Sequence, residues 1–295
     1  MIRKINYRRL FNVLPGYLFV LPALVLFLVF ELYPMIMSFF ISLCEYEKTS
    51  FVFVGLKNYK TLLNDVVFSK SFLNSVLFVL GDVPLVILFS LFVSFVIYNK
   101  GKYFLAFARA AFYIPSVASI VTIGAIWRWM LDPTSGIINH IMGMFGIQPI
   151  AWLSDPRYAL PVLIVILMTI TVGQAIILNI STLQNIPKSY IEAASIDGAS
   201  SWDLIVKIII PLMKPTTLFI VVMSTIQAFQ TFAIVQLLTA GGPIYSTSTI
   251  VFQLYQAAFH HEKYGEASAM GVILGLIVII ISVIQYKFLK TDTEY

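Results

Sequence analysis

Six long apolar segments constrain the fold of this chain more than any other feature. A helix needs about 20 predominantly apolar residues to cross the hydrocarbon core of a bilayer. Each segment meets that requirement, and only 11% of all residues are charged, against about 25% in globular domains. We therefore predict an all-α, polytopic membrane protein with about six transmembrane helices. The predicted spans lie near residues 17–43, 72–98, 108–131, 160–180, 216–239 and 267–288.

The basic residues lie mainly in short loops on one side of these spans. The positive-inside rule makes that side cytoplasmic, so we expect both termini in the cytoplasm. The formal charge of +5 is then explained by basic residues in the cytoplasmic loops, and we expect no nucleic-acid partner. No small-residue cleavage site follows the first apolar run, which predicts an uncleaved span preceded by a cytoplasmic segment, residues 1–16. The basic residues on this side are Arg3, Lys4, Arg8, Arg9, Lys100, Lys102, Arg109, Lys188, Lys207, Lys214, Lys287 and Lys290.

A polar stretch, residues 181–215, interrupts the apolar pattern between the fourth and fifth spans. Pro187 stands where a helix can start, and Gly198 is placed to end that helix with a positive φ. Pro211 and Pro215 are expected to break or kink the chain where it re-enters the lipid. We predict a short helix that lies across the cytoplasmic face of the membrane. Candidate caps for the helix that follows it are Ser200 and Ser201.

The same stretch carries a spaced motif that ends in proline. It reads EAASIDG, then nine residues, then IIIP, and it resembles the EAA loop of bacterial ABC importer permeases. That loop has Glu-Ala-Ala, three residues, Gly, nine residues and Ile-x-Leu-Pro. This chain departs from it once, with Ile210 in place of the usual Leu. The matching residues are Glu192, Ala193, Ala194, Gly198, Ile208 and Pro211.

Further motifs extend the resemblance over nearly the whole chain. FVGLKNY at residues 53–59 and LLTAGGPIYSTST at residues 237–249 are similar to those of carbohydrate-type permeases related to the larger membrane subunit of the maltose transporter. The chain has no room for that subunit's large outer domain or for its two additional N-terminal spans. The resemblance implies that residues 17–295 form an ABC importer transmembrane domain in a bacterial cytoplasmic membrane.

The resemblance also implies a function and a set of partners. The chain would be a permease subunit that translocates an oligosaccharide by alternating access. Implied partners are a second permease, two cytoplasmic ATPase subunits and an extracellular solute-binding protein, besides membrane lipids and the sugar. Because no GxxxxGK[ST] phosphate loop occurs, we expect ATP hydrolysis in the ATPase partner, and neither an enzyme activity nor a cofactor in this chain. The residues implied to dock on the ATPase are Glu192, Ala193, Ala194, Asp197 and Gly198; the alternative is a solvated connector without a partner.

Uncharged polar residues inside three spans are candidates for the solute pathway. Polar groups in a span cost free energy unless they pair or line a cavity. Hydroxyl and amide groups suit a neutral, hydroxyl-rich solute better than an ion, in agreement with the sugar site that the resemblance implies. For each Ser or Thr, the alternative is a hydrogen bond back to its own helix. The candidates are Ser116, Ser119, Thr171, Gln174, Ser224, Gln227, Gln230 and Thr231.

An aspartate within a span and three histidines in the outer loops are the remaining ionisable candidates for a function. Asp82, in the second span, would serve either a proton relay or solute contact, or a buried hydrogen bond to a neighbouring helix or to the backbone near Pro84. The hydrogen bond is the favoured interpretation. His140, His260 and His261 lack metal-ligand spacing, so we expect no metal site.

Two apolar patterns leave alternatives open. Residues 250–259 place an apolar face on one helix of the third outer loop, which is typical of an interfacial helix or of a packed connector. Ala267, Gly271 and Gly275 form a small-xxx-small series in the last span. Such a series packs closely against another helix, either within this chain or in a second membrane subunit.

Three other functional classes are alternatives to a sugar permease, and two of them differ from it in the sequence features that they require. An ABC permease for a glycerophosphodiester or another polyol-type solute would share the same motifs. An ion-coupled secondary transporter would need Asp82 as its coupling carboxylate and would be expected to show an internal repeat, which is not visible. An intramembrane enzyme would need a nucleophile–base or metal constellation, and none is visible.

Overall fold

The computed structural model describes residues 7–47 and 50–289, which are almost entirely helical. Five helices are long and apolar enough to cross a membrane, and a bent helix pair brings the number to six if it is one span. This confirms the predicted all-α fold with about six spans. Residues 1–6 and 290–295 lie outside the described residues, and with them part of the predicted N-terminal segment and Lys290.

The elements follow one another in a simple order. The helices are α1 (Tyr7–Phe27), α2 (Tyr33–Ser42), α3 (Lys57–Asn64), α4 (Val66–Ile97), α5 (Lys102–Val117), α6 (Ile120–Met130), α7 (Ile137–Met144), α8 (Pro156–Asn185), α9 (Lys188–Ile196), α10 (Ser201–Asp203), α11 (Ile210–Phe229), α12 (Ala233–Leu238), α13 (Ile250–Tyr255) and α14 (Tyr264–Leu289). Stretches of π-helix lie at Leu28–Leu32, Leu204–Ile209 and Gln256–His260. Two antiparallel strands are β1 (Cys44–Glu47) and β2 (Ser50–Phe53).

Helices α4, α8 and α11 pack side by side and form the centre of the described chain. Phe78 of α4, Leu163 of α8 and Ala228 of α11 belong to one cluster and are fully buried. Helix α5 lies against α8, and Gly173 makes that approach possible. A Cβ atom at Gly173 would lie 2.3 Å from the carbonyl oxygen of Phe112, so only glycine fits there.

The third span is bent, although the sequence predicted one continuous span at residues 108–131. Helices α5 and α6 meet at 99°. Pro115 lies in the last turn of α5, and the backbone of Ala118 and Ser119 between the two helices is extended. Pro115 lacks the N–H that would bond to the carbonyl oxygen of residue 111, which weakens the last turns of α5, and the extended backbone that follows ends the helix. The sequence did not predict this bend.

The fifth span starts earlier and ends earlier than residues 216–239. The chain is helical without a break from Ser201 to Phe229, so of the expected break or kink at Pro211 and Pro215, the break does not occur. The π-helical stretch Leu204–Ile209 ends just before Pro211. The wider π-helical turn makes room for the proline ring, which would otherwise clash with the carbonyl oxygen four residues earlier.

The segment between α11 and α14 is a packed connector, which was one of the two alternatives for residues 250–259. Ile250 and Ala257 are buried in one cluster with Ala267 and Met270 of α14. Ser71 Oγ of α4 donates a hydrogen bond of 2.8 Å to Ser248 Oγ, which fixes the start of this connector.

The small-residue series of α14 divides into two parts. Ala267 is buried, and a Cβ atom at Gly271 would lie 3.4 Å from Leu254, so these two positions pack within the chain. A Cβ atom at Gly275 would meet nothing within 4 Å in the described chain. Gly275 therefore stays open to a contact outside this chain.

Candidate functional site

A narrow cleft of about 20 Å³ lies between α8 and α11. Four of the eight predicted pathway residues line it: Thr171 and Gln174 from α8, and Ser224 and Gln227 from α11. Residues three apart on a helix share one face, so the spacing within each pair places both side chains on the same wall. The cleft therefore brings two hydroxyl groups and two amide groups together.

The rest of the cleft wall is apolar and was missed from the sequence. It is contributed by Ala175, Leu178, Phe219, Ile220 and Met223, and none of the nine lining residues is charged. Phe219 and Met223 stand eight and four residues before Gln227, and this helical spacing was a signal that could have identified them. Phe219 is half exposed, so an aromatic ring flanks the polar groups.

The polar side chains of the cleft differ in their hydrogen bonding. Thr171 Oγ1 donates to the carbonyl oxygens of Leu167 (3.2 Å) and Met168 (3.3 Å) on its own helix, which leaves its oxygen free to accept. No hydrogen bond joins the side-chain amide of Gln174 or Gln227 to another described residue. Both amides therefore keep their donors and acceptors free of other described side chains.

The other four predicted pathway residues lie outside the cleft. Ser116 Oγ donates to the carbonyl oxygen of Ile170 at 2.5 Å and joins α5 to α8. Ser119 is exposed at the bend between α5 and α6. Gln230 is exposed at the end of α11, and Thr231 Oγ1 donates to the carbonyl oxygen of Gln227 at 3.2 Å.

Asp82 of α4 is fully buried, and neither of its carboxyl oxygens has a hydrogen-bond partner among the described residues. The favoured expectation of a hydrogen bond to a neighbouring helix or to the backbone near Pro84 was therefore wrong. An unpaired carboxyl in the interior is costly, and the backbone near Pro84 does not relieve that cost.

The polar stretch forms the predicted short helix, α9, and ends it as predicted. Gly198 has φ +80°, and the amide of Ala199 donates to the carbonyl oxygen of Ala194 at 3.0 Å, which closes the helix in a Schellman-type turn. Ser200 and Asp203 then form a capping box at the start of the next helix. Both the positive φ of Gly198 and the cap at Ser200 are confirmed.

The surface around α9 carries large apolar side chains. Ile196 is 87% exposed and Trp202 is 72% exposed. Glu192, Ala193, Asp197 and Gly198 are exposed beside them, and Ala194 is half-buried. Ile196 and Trp202 therefore form an apolar patch on an otherwise polar segment.

On the predicted outer side, Asp132 organises the turn after α6. Its Oδ1 accepts hydrogen bonds from the amides of Thr134 (2.9 Å) and Ser135 (2.8 Å) and from both of their hydroxyl groups. These donors hold the pKa of Asp132 at about 2. A cavity next to this turn is lined by Trp129, Asn139 and other residues.

Together, the spans, the neutral polar cleft and the exposed capped helix define a multi-span membrane transport protein. Comparison with known proteins gives the particular family. The profile of the binding-protein-dependent transport system inner membrane component matches residues 7–294. The chain belongs to this family.

Relatives and a solved structure agree with that assignment. The lactose transport system permease protein LacF of Rhizobium radiobacter is 33% identical over 276 residues, which cover 92% of this chain and 92% of the relative. The sn-glycerol-3-phosphate transport system permease protein UgpA of Agrobacterium fabrum (strain C58) is 31% identical over 297 residues, which cover 96% and 97%. The solved structure of a bacterial ABC transporter involved in the import of the acidic polysaccharide alginate shares the fold, with a TM-score of 0.83 at 22% identity over 98% of this chain and 99% of that one.

Proposed function

We propose that this chain is the permease subunit of an ATP-driven importer and that its solute passes through the cleft between α8 and α11. Four uncharged hydrogen-bonding side chains converge on that cleft, and this observation carries the proposal. The chain works with a second, similar permease, two ATPase subunits and an extracellular solute-binding protein. Both termini lie in the cytoplasm, as the distribution of basic residues indicates.

The solute is an oligosaccharide. Hydroxyl and amide groups beside an aromatic ring are the groups that bind sugar hydroxyls and the apolar faces of sugar rings. The transport of lactose by the LacF system supports this class. A phosphorylated polyol is the second candidate, because UgpA belongs to an sn-glycerol-3-phosphate system. Phosphate recognition usually uses Arg, Lys or a helix N-terminus, and the cleft lining has no cationic side chain, which favours the neutral sugar.

Helix α9 links the helices of this cleft to the ATPase subunits. Glu192, Ala193 and Ala194 of α9, with Asp197 and Gly198 at its end, dock on an ATPase subunit, and Ile196 and Trp202 add the apolar part of that contact. Because α9 lies between α8 and α11 in the chain, movement of the docked helix is transmitted to both walls of the cleft. ATP binding then favours the outward-facing state, and hydrolysis returns the permease to the inward-facing state.

Matched substitutions on α8 test the cleft. Thr169 and Thr171 both donate to carbonyl oxygens of their own helix, but only Thr171 lines the cleft. In the complete importer in proteoliposomes, Gln174→Ala, Gln227→Ala and Thr171→Val should each raise the KM for sugar uptake, by about tenfold for the glutamines, since each loses a hydrogen bond to the solute of about 1.4 kcal/mol. Thr169→Val is the control and should leave KM unchanged. Equal effects of the two threonine variants would contradict the proposal.

A further inference from the structure

Asp82 is the one buried carboxyl group of the described residues that no hydrogen bond satisfies. The side chain is completely inaccessible, and both oxygens lack a partner among those residues. Buried polar groups in native proteins are almost always paired, so an unpaired carboxyl group calls for a functional explanation. The position of Asp82 indicates which function to consider.

The neighbours of α4 fix the level at which Asp82 lies. Phe78, one turn before Asp82, shares a cluster with Leu167 of α8 and Ala228 of α11. Val86, one turn after it, shares a cluster with Ala175 of α8 and Ile220 of α11. Residues spaced by four lie on one helical face, so Asp82 faces the same seam between α8 and α11.

The two clusters bracket the polar part of the cleft. On α8, the residue halfway between Leu167 and Ala175 is Thr171. On α11, the residue halfway between Ala228 and Ile220 is Ser224. Both of these residues line the cleft, whereas Asp82 does not. A Cβ atom at the adjacent Gly81 would lie 2.8 Å from Ile164 of α8, so Asp82 lies behind the cleft wall, between the levels of Ile164 and Ala175.

From this arrangement we infer that Asp82 is a further solute-binding residue of the importer, which accepts hydrogen bonds from sugar hydroxyl groups when α8 and α11 separate. The inference rests on the proposed function of the cleft. A carboxyl group has two acceptor oxygens and can accept from two neighbouring hydroxyls of one sugar. In the conformation described here the seam is closed over Asp82, and the unpaired group favours the transition to the open, loaded state.

A binding role and a structural role predict opposite effects on stability. If Asp82 awaits a solute, Asp82→Leu removes an unsatisfied group and should raise the melting temperature of the solute-free importer. If Asp82 holds the helices together, Asp82→Leu should lower it. Ser90, two turns further along α4, is the matched control because its hydroxyl accepts a hydrogen bond of 3.0 Å from Asn179 Nδ2. Ser90→Ala should lower the melting temperature and leave the KM unchanged.

The transport test uses the complete importer in proteoliposomes with maltotriose, raffinose, cellotriose and trigalacturonate as probes. For the neutral probe that the wild type takes up best, Asp82→Asn should raise KM about tenfold, with the maximal uptake rate retained within about twofold. Three results would each overturn the inference: an unchanged KM in Asp82→Asn, a lower melting temperature in Asp82→Leu, or a preference of the wild type for trigalacturonate. If Gln174→Ala and Gln227→Ala alter KM while Asp82→Asn does not, only the role of Asp82 fails. If none of the three alters KM, the proposed cleft itself fails.

Discussion

Arg109 Nη2 donates a hydrogen bond of 2.7 Å to Oε1 of Gln184 and so joins α5 to the last turn of α8. Helix α8 ends at Asn185, and α9 begins at Lys188. The contact therefore ties the core of the chain to the element that is proposed to dock on an ATPase subunit. A cation and an amide at the base of two packed helices hold that base as one unit.

Removal of the Arg109–Gln184 hydrogen bond should weaken the coupling between ATP hydrolysis and sugar transport. Gln184→Leu removes the acceptor, and a loss of ~1 kcal/mol of coupling free energy would lower sugar uptake per ATP hydrolysed by roughly fivefold. Gln184→Glu keeps an oxygen acceptor for Arg109 and should remain coupled. Uptake and ATP hydrolysis measured together in proteoliposomes check this, and full coupling in the Gln184→Leu variant would show that the contact has no such role.

Gly198 should be sensitive to a single methyl group, although there is room for one. A Cβ atom would meet nothing within 4 Å, but φ is +80°, a conformation that costs an L-residue about 1–2 kcal/mol. Gly198→Ala should therefore distort the end of α9 and reduce ATP-driven uptake.

Gly101 provides the matched control for Gly198. It also has open space around it, but its φ is −56°, so Gly101→Ala should have no effect on uptake. Hydrogen exchange at Ala199, whose amide closes the turn, should speed up in the Gly198 variant alone. Identical behaviour of the two variants would contradict the strain argument.

Two glycines in spans should respond in opposite directions. Gly173→Ala forces a methyl group against the carbonyl oxygen of Phe112 and should destabilise the chain by about 1–3 kcal/mol. Gly275→Ala meets nothing in the described chain and should stabilise the isolated chain by about 0.5–1 kcal/mol.

Thermal melts of the purified chain and of the assembled importer measure both effects. If Gly275 contacts a second membrane subunit, Gly275→Ala should stabilise the chain alone but destabilise the assembly. Stabilisation of both would place Gly275 outside any subunit contact.

The turn at Asp132 should lose its support in acid. The pKa of Asp132 is held at about 2 in the folded chain against an ordinary value of 3.8, so the carboxylate stabilises the turn above pH 4. This contribution is lost as the pH falls from about 4 to about 2. Asp132→Ala should therefore lower the melting temperature at pH 7, and the difference from the wild type should shrink at pH 3. A difference that is independent of pH would contradict this assignment.

The fold could be predicted well because its main determinants are local. Span length, basic loops, the glycine at position 198 and the cap at position 200 each act within a few residues of the chain. The bend after Pro115 and the continuous helix through Pro211 could not be predicted, because the same residue type ends one helix and is absorbed in the other. What decides is the neighbouring structure: extended residues follow Pro115, whereas a π-helical stretch precedes Pro211.

The site could be predicted only in part. Polar residues in apolar spans identified Thr171, Gln174, Ser224 and Gln227, but the same criterion also selected Ser116, whose hydroxyl joins two helices. Whether a hydroxyl faces a cleft or a neighbouring carbonyl depends on the rotation of packed helices. The unpaired state of Asp82 is likewise a property of three helices together and has no signal in the second span alone.

The most direct test of the account is sugar uptake by the reconstituted importer with and without its ATPase subunits. With the second permease, the ATPase subunits and the solute-binding protein present, uptake should require ATP on the ATPase side and should be lost in Glu192→Ala. The isolated chain should show no uptake under any ion gradient. Uptake by the chain alone, or ATP-driven uptake that Glu192→Ala leaves unchanged, would show that α9 does not couple this permease to ATP hydrolysis.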